Sequence, residues 1–368
     1  MTLSPLPVIR LKPKINAAPI RYGAPWVFDN EIVTDRRTQK LEPGTVAVLE
    51  DGGREPLALV AVNPASRIMA RVLDRDVTAQ IDRDWLRARL TTAQALREKL
   101  YQTPFYRLIH AEGDGMPGVV IDRFGDVAVI QPNAAWAERL LPDMVAALQE
   151  VTGVTTVLKN ASGRARVLEG LDDTNTVLAG TAPEGAVEVP MNGAIYLADL
   201  TAGQKTGLYF DQRPNHAFAA QMARGARVLD VFSHVGGFSL AALAAGAEHA
   251  LAVDGSDPAL ELARGSADRM GVSGRFETRK ADAFDALTAL GEEGAQFDMV
   301  ICDPPAFAPS KKALEAGLRA YERIARLAAP LVKEGGVLAF VPVPTPLIWD
   351  GSARLQFAAS GGPGATGH

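Results

Sequence analysis

Between Val228 and Asp303 four short runs each reach an acidic residue, and this repetition constrains the fold more than any other feature of the chain. The runs include Val228-Leu229-Asp230-Val231, Leu251-Ala252-Val253-Asp254, Ala281-Asp282-Ala283-Phe284 and Val300-Ile301-Cys302-Asp303. As strands of a parallel sheet they would bring their carboxyl ends to one crevice, where ligands bind. Four carboxylates at successive strand ends describe a nucleotide-like cofactor site with a catalytic edge.

Two cofactor classes compete for such a site. A glycine loop after a strand, with an acid about 20 residues on, also fits dinucleotide binding. That use needs three glycines to bring a pyrophosphate onto a helix N-terminus. Here the loop Phe232-Ser233-His234-Val235-Gly236-Gly237 offers two adjacent glycines, and Asp230 precedes them. An acid there repels a pyrophosphate and suits the ammonium of a methionine moiety. Asp254 is placed to hold two ribose hydroxyls, and Asp282 to meet an adenine amino group. The constellation points to an S-adenosylmethionine-dependent methyltransferase over a dehydrogenase.

Bulk composition narrows the remaining choices. A length of 368 residues suggests more than one domain. The net charge of -5 excludes a uniformly basic nucleic-acid glove, so RNA contact must come from local patches. One cysteine excludes an intrachain disulfide and a cysteine-based zinc site. His110, His216 and His249 are scattered, and no metal site is expected. No stretch of 18 apolar residues exists, which excludes a membrane span, and a cytoplasmic protein is the expectation.

Residues 8–75 carry short strands punctuated by Gly, Pro, Asn and Asp, which suggests a small β-barrel. Arg10, Lys12, Lys14 and Arg21 gather at its start with Trp26 nearby, a pattern that fits a solvated face or an RNA contact. Asp82 to Gln102 is expected to be a helix, with Trp85, Leu86, Leu90, Ala93, Leu96 and Leu100 on its apolar face. A second unit follows, with strands near Tyr106, Val119, Val127, Thr155 and Ala186 and one helix over 134–149. The segment Thr201 to Asn215 is polar and glycine-punctuated beside the expected crevice, a candidate lid or substrate clamp.

Three stretches carry a resemblance to a known family. They are Arg10-Leu11-Lys12 with Gly23-Ala24-Pro25-Trp26-Val27-Phe28, then Ala111 to Asp126, then Gln204 through Asp211-Gln212-Arg213 to Asp303-Pro304-Pro305-Ala306-Phe307. Over about residues 8–340 the chain resembles the bacterial 23S ribosomal-RNA cytosine-5 methyltransferase family. The resemblance implies an α/β fold: a Rossmann-like class I methyltransferase domain behind a small β-barrel (PUA-like) domain and a central α+β domain. The expected boundaries are 1–78 for the PUA-like RNA-binding domain, 79–190 for the central domain, 191–340 for the methyltransferase domain and 341–368 for an aberrant tail.

The resemblance also implies roles. S-adenosylmethionine would meet Asp230, Phe232, Ser233, Gly236, Gly237, Asp254, Asp282 and Ala283, with Gln204, Thr206, Asp211 and Arg213 closing over it. Asp303 also maps onto a cofactor position, and Asp303, Pro304 and Pro305 are the candidate catalytic residues. Arg10, Lys12, Lys14, Arg21 and Lys205 would contact ribosomal RNA. A homodimer is also consistent with the family.

One departure from the family matters. Cytosine C5 is a poor nucleophile, and methylating it normally needs a thiolate that adds at C6 and later leaves. The family keeps that cysteine in a Ser-Cys-Ser motif after the strand that follows a Gly-Gly turn. Here the strand is Gly335 to Val341, and Pro342-Val343-Pro344-Thr345-Pro346 follows without a cysteine. Cys302 lies one residue before Asp303, so strand alternation turns it away from the crevice. Codons for Val341 to Ile348 exist that, shifted by two positions, read Ser-Cys-Ser-His-Ala-Ala-Asp. We therefore favour a one-base frameshift near codon 341 over a divergent natural tail, and expect an unpaired sheet edge, weak cofactor binding and little or no C5 methylation.

Other readings stay open at this point. Asp303-Pro304-Pro305 also suits methylation of a base amino group, which needs no cysteine. An RNA-binding protein with a decayed methyltransferase domain is the non-enzyme alternative. Phe307 fits base stacking or core packing, and Lys311-Lys312 a phosphate contact or a solvated helix start.

Overall fold

The computed structural model describes residues 6–201, 207–307, 313–341 and 356–359, the last four as backbone alone. The chain divides into two compact units, Met1–Gly185 with Asp199–Phe210 and Ala186–Ala198 with Asp211–His368.

The first unit opens with β1 (Val8–Arg10), α1 (Ala18–Arg21), β2 (Trp26–Val27), β3 (Thr45–Glu50), β4 (Pro56–Val62) and β5 (Ala70–Asp74). These strands form a five-stranded sheet in the order β1-β3-β4-β5-β2. Its apolar core includes Ile9, Leu11, Val27, Ile32, Leu49 and Val60. Then comes α2 (Arg83–Leu100), whose N-cap Asp82 accepts from the Trp85 backbone N–H and so satisfies one of the free donors of the first turn. Trp85, Leu86, Leu90 and Ala93 are buried as expected, but Leu96 and Leu100 are exposed. Arg97 takes the inward position instead, bonded to the Arg107 carbonyl and to Asp114.

The second sheet of this unit is built from β6 (Phe105–His110), β7 (Val119–Phe124), β8 (Val127–Pro132), β9 (Thr156–Lys159) and β10 (Thr176–Ala179), in the order β10-β9-β8-β7-β6. The single helix expected over 134–149 is two, α3 (Ala135–Arg139) and α4 (Leu141–Thr152). Pro142 is the cause: it lacks an N–H and its ring clashes with the carbonyl four residues back, so it is accommodated in the first turn of a new helix. Helix α5 (Arg164–Glu169) ends on a buried carboxylate. Glu169 accepts from Asn63 Nδ2, Ser66 Oγ and Arg71 Nη2, each at 3.0 Å, and so ties the first sheet's strands to α5.

The second unit begins with the hairpin β11 (Val187–Met191) and β12 (Ala194–Ala198), whose first strand starts ahead of the boundary expected at 191. Its turn residue Asn192 has φ 54° and donates from Nδ2 to the Arg213 carbonyl at 2.8 Å. That bond fixes the start of α6 (Arg213–Gln221). There follow β13 (Arg227–Val231), α7 (Gly237–Ala244), β14 (His249–Asp254), α8 (Asp257–Arg269), β15 (Phe276–Lys280), α9 (Ala283–Glu292), β16 (Phe297–Cys302), α10 (Leu314–Ala328), β17 (Val332–Phe340) and β18 (Gln356–Ala359).

The sheet order is β15-β14-β13-β16-β17-β18. The first five strands are parallel and β18 is antiparallel to β17. The chain therefore leaves β13 toward one edge, returns, and builds toward the other. β13 is the topological switch point, and its carboxyl end is where such sheets bind ligands. The unpaired edge expected at β17 is not found, because Gln356 pairs with Phe340 and Ala359 with Val337. A four-residue stretch, Gln356-Phe357-Ala358-Ala359, suffices to pair the carboxyl-terminal half of β17. Residues 342–355 and 360–368, where the frameshift was inferred, lie outside the described residues.

Candidate cofactor site

Register places the expected acids around one strand end. Val231 is level with Val253 on one side and with Cys302 on the other, so Asp254 and Asp303 emerge together beyond the end of β13. The Asp303 N–H donates to the Val231 carbonyl at 3.2 Å and the Ser233 N–H to the Val253 carbonyl at 3.0 Å. Asp254 Oδ2 accepts from the His234 N–H and Oδ1 from the Ser256 N–H, both at 2.8 Å. Asp254 thus shapes the glycine loop at the carboxyl end of the sheet.

The loop itself is bent against its side chains. Phe232 has φ 66°, His234 φ 50° and Gly236 φ 79°. Positive φ in a residue as bulky as Phe is a strained conformation that persists where the surroundings enforce it.

Asp230 lies inside β13 and is fully buried. Its Oδ2 accepts from Ser239 N at 2.9 Å and from Ser239 Oγ at 2.7 Å, which holds the first turn of α7. Every residue from Gly237 to Leu243 is buried, and Ser239 is the polar residue among them. Burial pushes the Asp230 carboxyl up to about 6, against the two Ser239 bonds, and Asp254 pushes in the same direction.

Asp230 Oδ1 and Ser233 Oγ are buried and have no hydrogen-bond partner among the described residues. Leaving such atoms unpaired is costly, so these two fit a ligand that brings a cation and a donor to the loop. Among the described residues no cluster of metal-ligating side chains exists.

The other expected residues are distributed as follows. Asp282 is exposed and caps α9, its Oδ1 accepting from Phe284 N at 2.9 Å, while Ala283 is buried beneath it. Pro304 is buried and Pro305 exposed. Asp211 and Arg213 bracket the start of α6, and Gln204, Lys205 and Thr206 lie outside the described residues, as do Lys311 and Lys312. Cys302 is completely buried in the apolar cluster with Val231, Val300 and Ile324, and burial raises its thiol well above the ordinary cysteine range.

On the first sheet, Arg10 pairs with Glu50 at 3.1 Å and Arg21 with Asp51 at 3.0 Å, so two of the four expected RNA-facing cations are compensated. Lys12 Nζ donates to the Asn30 carbonyl, and Lys14 is exposed. Trp26 is 40% exposed and its Nε1 donates to Glu112, while Tyr22, outside the expected contacts, is 90% exposed.

Tyr321, Tyr196 and His216 shape the candidate site without having been anticipated there. Tyr321 on α10 accepts from the Phe307 N–H at 3.4 Å and donates to the Pro305 carbonyl at 3.2 Å, pinning the Asp303-Pro304-Pro305 loop. Phe307 packs among Phe232, Phe284 and Tyr321, with ring centroids 6.3, 6.2 and 5.1 Å away. Of its two readings, core packing is the one this contact set supports. Tyr196 and His216 crowd the start of α7, where the Tyr196 hydroxyl donates to the Gly237 carbonyl at 3.0 Å. A helical spacing of Gly317, Tyr321, Ile324 and Ala328 was the available signal for Tyr321.

Comparison with known proteins decides the family. A family described as S-adenosylmethionine-dependent methyltransferase matches residues 138–350, and a PUA-like domain family matches residues 9–75. A protein named ribosomal RNA large subunit methyltransferase I from Erwinia tasmaniensis is 36% identical over 318 residues, 85% of this chain and 80% of that protein. The protein of the same name from Aliivibrio fischeri strain MJ11 is 37% identical over 324 residues, 87% of this chain and 81% of that protein. The chain belongs to this methyltransferase family. It is an S-adenosylmethionine-dependent enzyme by that membership, and S-adenosylmethionine is its methyl donor. The methyltransferase also shares its fold with a solved SAM-dependent methyltransferase from Streptococcus mutans, at 19% identity and a TM-score of 0.76, over 91% of this chain and 85% of that one.

Proposed function

We propose that this chain methylates a base of large-subunit ribosomal RNA. The names of its relatives and the PUA-like match support an RNA substrate. The observation that carries the site assignment is the orphaned, buried Asp230 oxygen at the switch point. Asp230 receives the cofactor's ammonium, Asp254 its ribose hydroxyls, and Asp282 with Ala283 the adenine end. Phe232, Ser233, Gly236 and Gly237 line the turn between them. S-adenosylmethionine supplies the methyl group; the Asp303-Pro304-Pro305 loop, held by Tyr321, presents the acceptor base. Lys12 and Lys14 meet RNA phosphate, with Arg10 and Arg21 contributing less because each already faces a carboxylate. Such a substrate places the enzyme in the cytoplasm.

Cytosine C5 is the position that the family resemblance favours. A cysteine must then add at C6 and leave as the C5 proton is lost. Cys302 is the one cysteine of the chain, and its complete burial removes it from that role. This observation favours a second reading for the sequence as it stands, methylation of a base amino group. There Asp303 and a backbone carbonyl of the loop accept bonds from the amine of a flipped base.

Labelled methyl transfer to unmodified large-subunit RNA, followed by nucleoside identification, separates the readings. The chain is run beside a version whose tail is restored to Ser-Cys-Ser-His and onward. 5-Methylcytidine from the restored version alone supports the C5 reading and the frameshift. An amino-methylated base from both supports the second reading. No transfer by either version refutes both and leaves a protein that binds RNA without modifying it.

A further inference from the structure

The strained turn from Phe232 to Gly237 needs neighbours that hold it, and one of them is a histidine to which no role has been assigned. His216 lies on α6 and is 5% exposed. A Cβ added at Gly237 would come within 2.6 Å of both Cε1 and Nε2 of its imidazole. The ring therefore fills the space directly over the Gly237 α-carbon. Tyr196 stacks on the same imidazole, with centroids 6.4 Å apart and planes at 26°, and its hydroxyl bonds the Gly237 carbonyl. Phe238 meets the imidazole edge-on at 4.5 Å and 76°. The Gly237 peptide is thus gripped at two points, its carbonyl by the phenol and its α-carbon by the imidazole.

The grip has an anchored base. Asn192 holds the first turn of α6 through the Arg213 carbonyl, and Ser266 Oγ accepts from Leu197 N on β12 at 2.8 Å. His216 Nδ1 is buried without a hydrogen-bond partner among the described residues, so contact surface rather than hydrogen bonding at that atom carries the role. Burial holds the imidazole at about 3, uncharged, and so without repulsion toward a cationic ligand nearby.

We infer that His216 is a positioning residue for the methionine end of the cofactor, fixing the Gly236-Gly237 turn so that the unpaired Asp230 oxygen can reach that end. The inference rests on the assignment of Asp230 to the cofactor's ammonium. Its signature is selective. A turn that relaxes when the imidazole is removed misplaces the groups facing the amino-acid moiety and leaves Asp254 and the adenine end untouched.

Calorimetric titration with S-adenosylhomocysteine and with 5′-methylthioadenosine, which lacks the amino-acid group, reads this directly. His216→Ala is expected to weaken S-adenosylhomocysteine about tenfold and methylthioadenosine by less than about twofold. Gly237→Ala tests the same contact from the other side and should lose the same selectivity, because its methyl meets the imidazole. In the double variant the methyl enters the vacated space, so selectivity should recover in part. Equal weakening of both ligands, no weakening of either, or additive losses in the double variant would overturn the inference. Asp230→Asn separates this from the underlying assignment. If it keeps the full preference for S-adenosylhomocysteine, the ammonium assignment fails, whatever His216 does.

Discussion

Asp254 and Asp303 stand at the same level on either side of β13, because Val253 and Cys302 are both in register with Val231. An acid of the proposed cofactor site and an acid of the proposed acceptor-base loop are thus brought together by backbone pairing alone. The carboxylate between and beneath them, Asp230, is the one whose chemistry depends most on burial.

Asp230 gives a pH prediction with a definite sign. Its carboxyl titrates near 3.8 in an unfolded chain and at about 6 in the fold. The folded chain keeps this proton between those values while the unfolded chain has lost it. The stability it contributes is full below 3.8 and is lost as pH rises through about 6. Asp230→Asn should therefore raise the melting temperature of the ligand-free protein at about pH 7.5 and leave it unchanged near pH 3.5. Binding runs the other way: an ammonium needs the ionised acid. Affinity for S-adenosylhomocysteine should fall as pH drops below about 6, and the Asn variant should show a flat profile over the same range.

Glu169 gives a stability prediction. Its side chain is 3% exposed and that of its partner Arg71 11%. Removing one member of a buried pair leaves the other charge uncompensated, at a cost of about 3 to 5 kcal/mol. Arg71 also faces Glu112 at 3.6 Å, which puts Glu169→Ala at the lower end of that range. Urea denaturation measures it. A loss under about 1 kcal/mol would mean that the carboxylate does not brace Asn63, Ser66 and Arg71.

Tyr321 gives a local prediction. Tyr321→Phe keeps the ring packed on Phe307 and deletes both hydrogen bonds to the loop. The Phe307 amide should exchange with solvent faster, and global stability should fall by about 1 kcal/mol. Unchanged exchange at Phe307 would show that the loop holds its shape without the phenol.

The sheet was legible because β13, β14 and β16 are apolar runs with an acid at or next to the carboxyl end, and such runs leave few alternatives to buried parallel strands. The acids at their ends were legible for the same reason. Pairings across sequence were not. Arg10 lies opposite Glu50 only because β1 runs parallel to β3, and nothing local to either residue announces that neighbour. Ser239, His216 and Tyr321 act through tertiary contacts and carry no motif of their own. Two features were visible and passed over. Pro142 marked the break between α3 and α4, and Asp282 before Asp285 marked a helix start, which explains why its Oδ1 is turned to the α9 amides. The edge strand β18 is not legible because Gln356 to Ala359 is short and runs directly into Gly-rich residues.

The switch point at β13 is proposed to hold the cofactor, with Asp254 among its ligands. Titrating S-adenosylhomocysteine into this chain and into Asp254→Ala tests it most directly. Saturable one-to-one binding by the parent chain is expected, weakened at least about tenfold in the variant. No binding by the parent, or equal affinity in both, would contradict it.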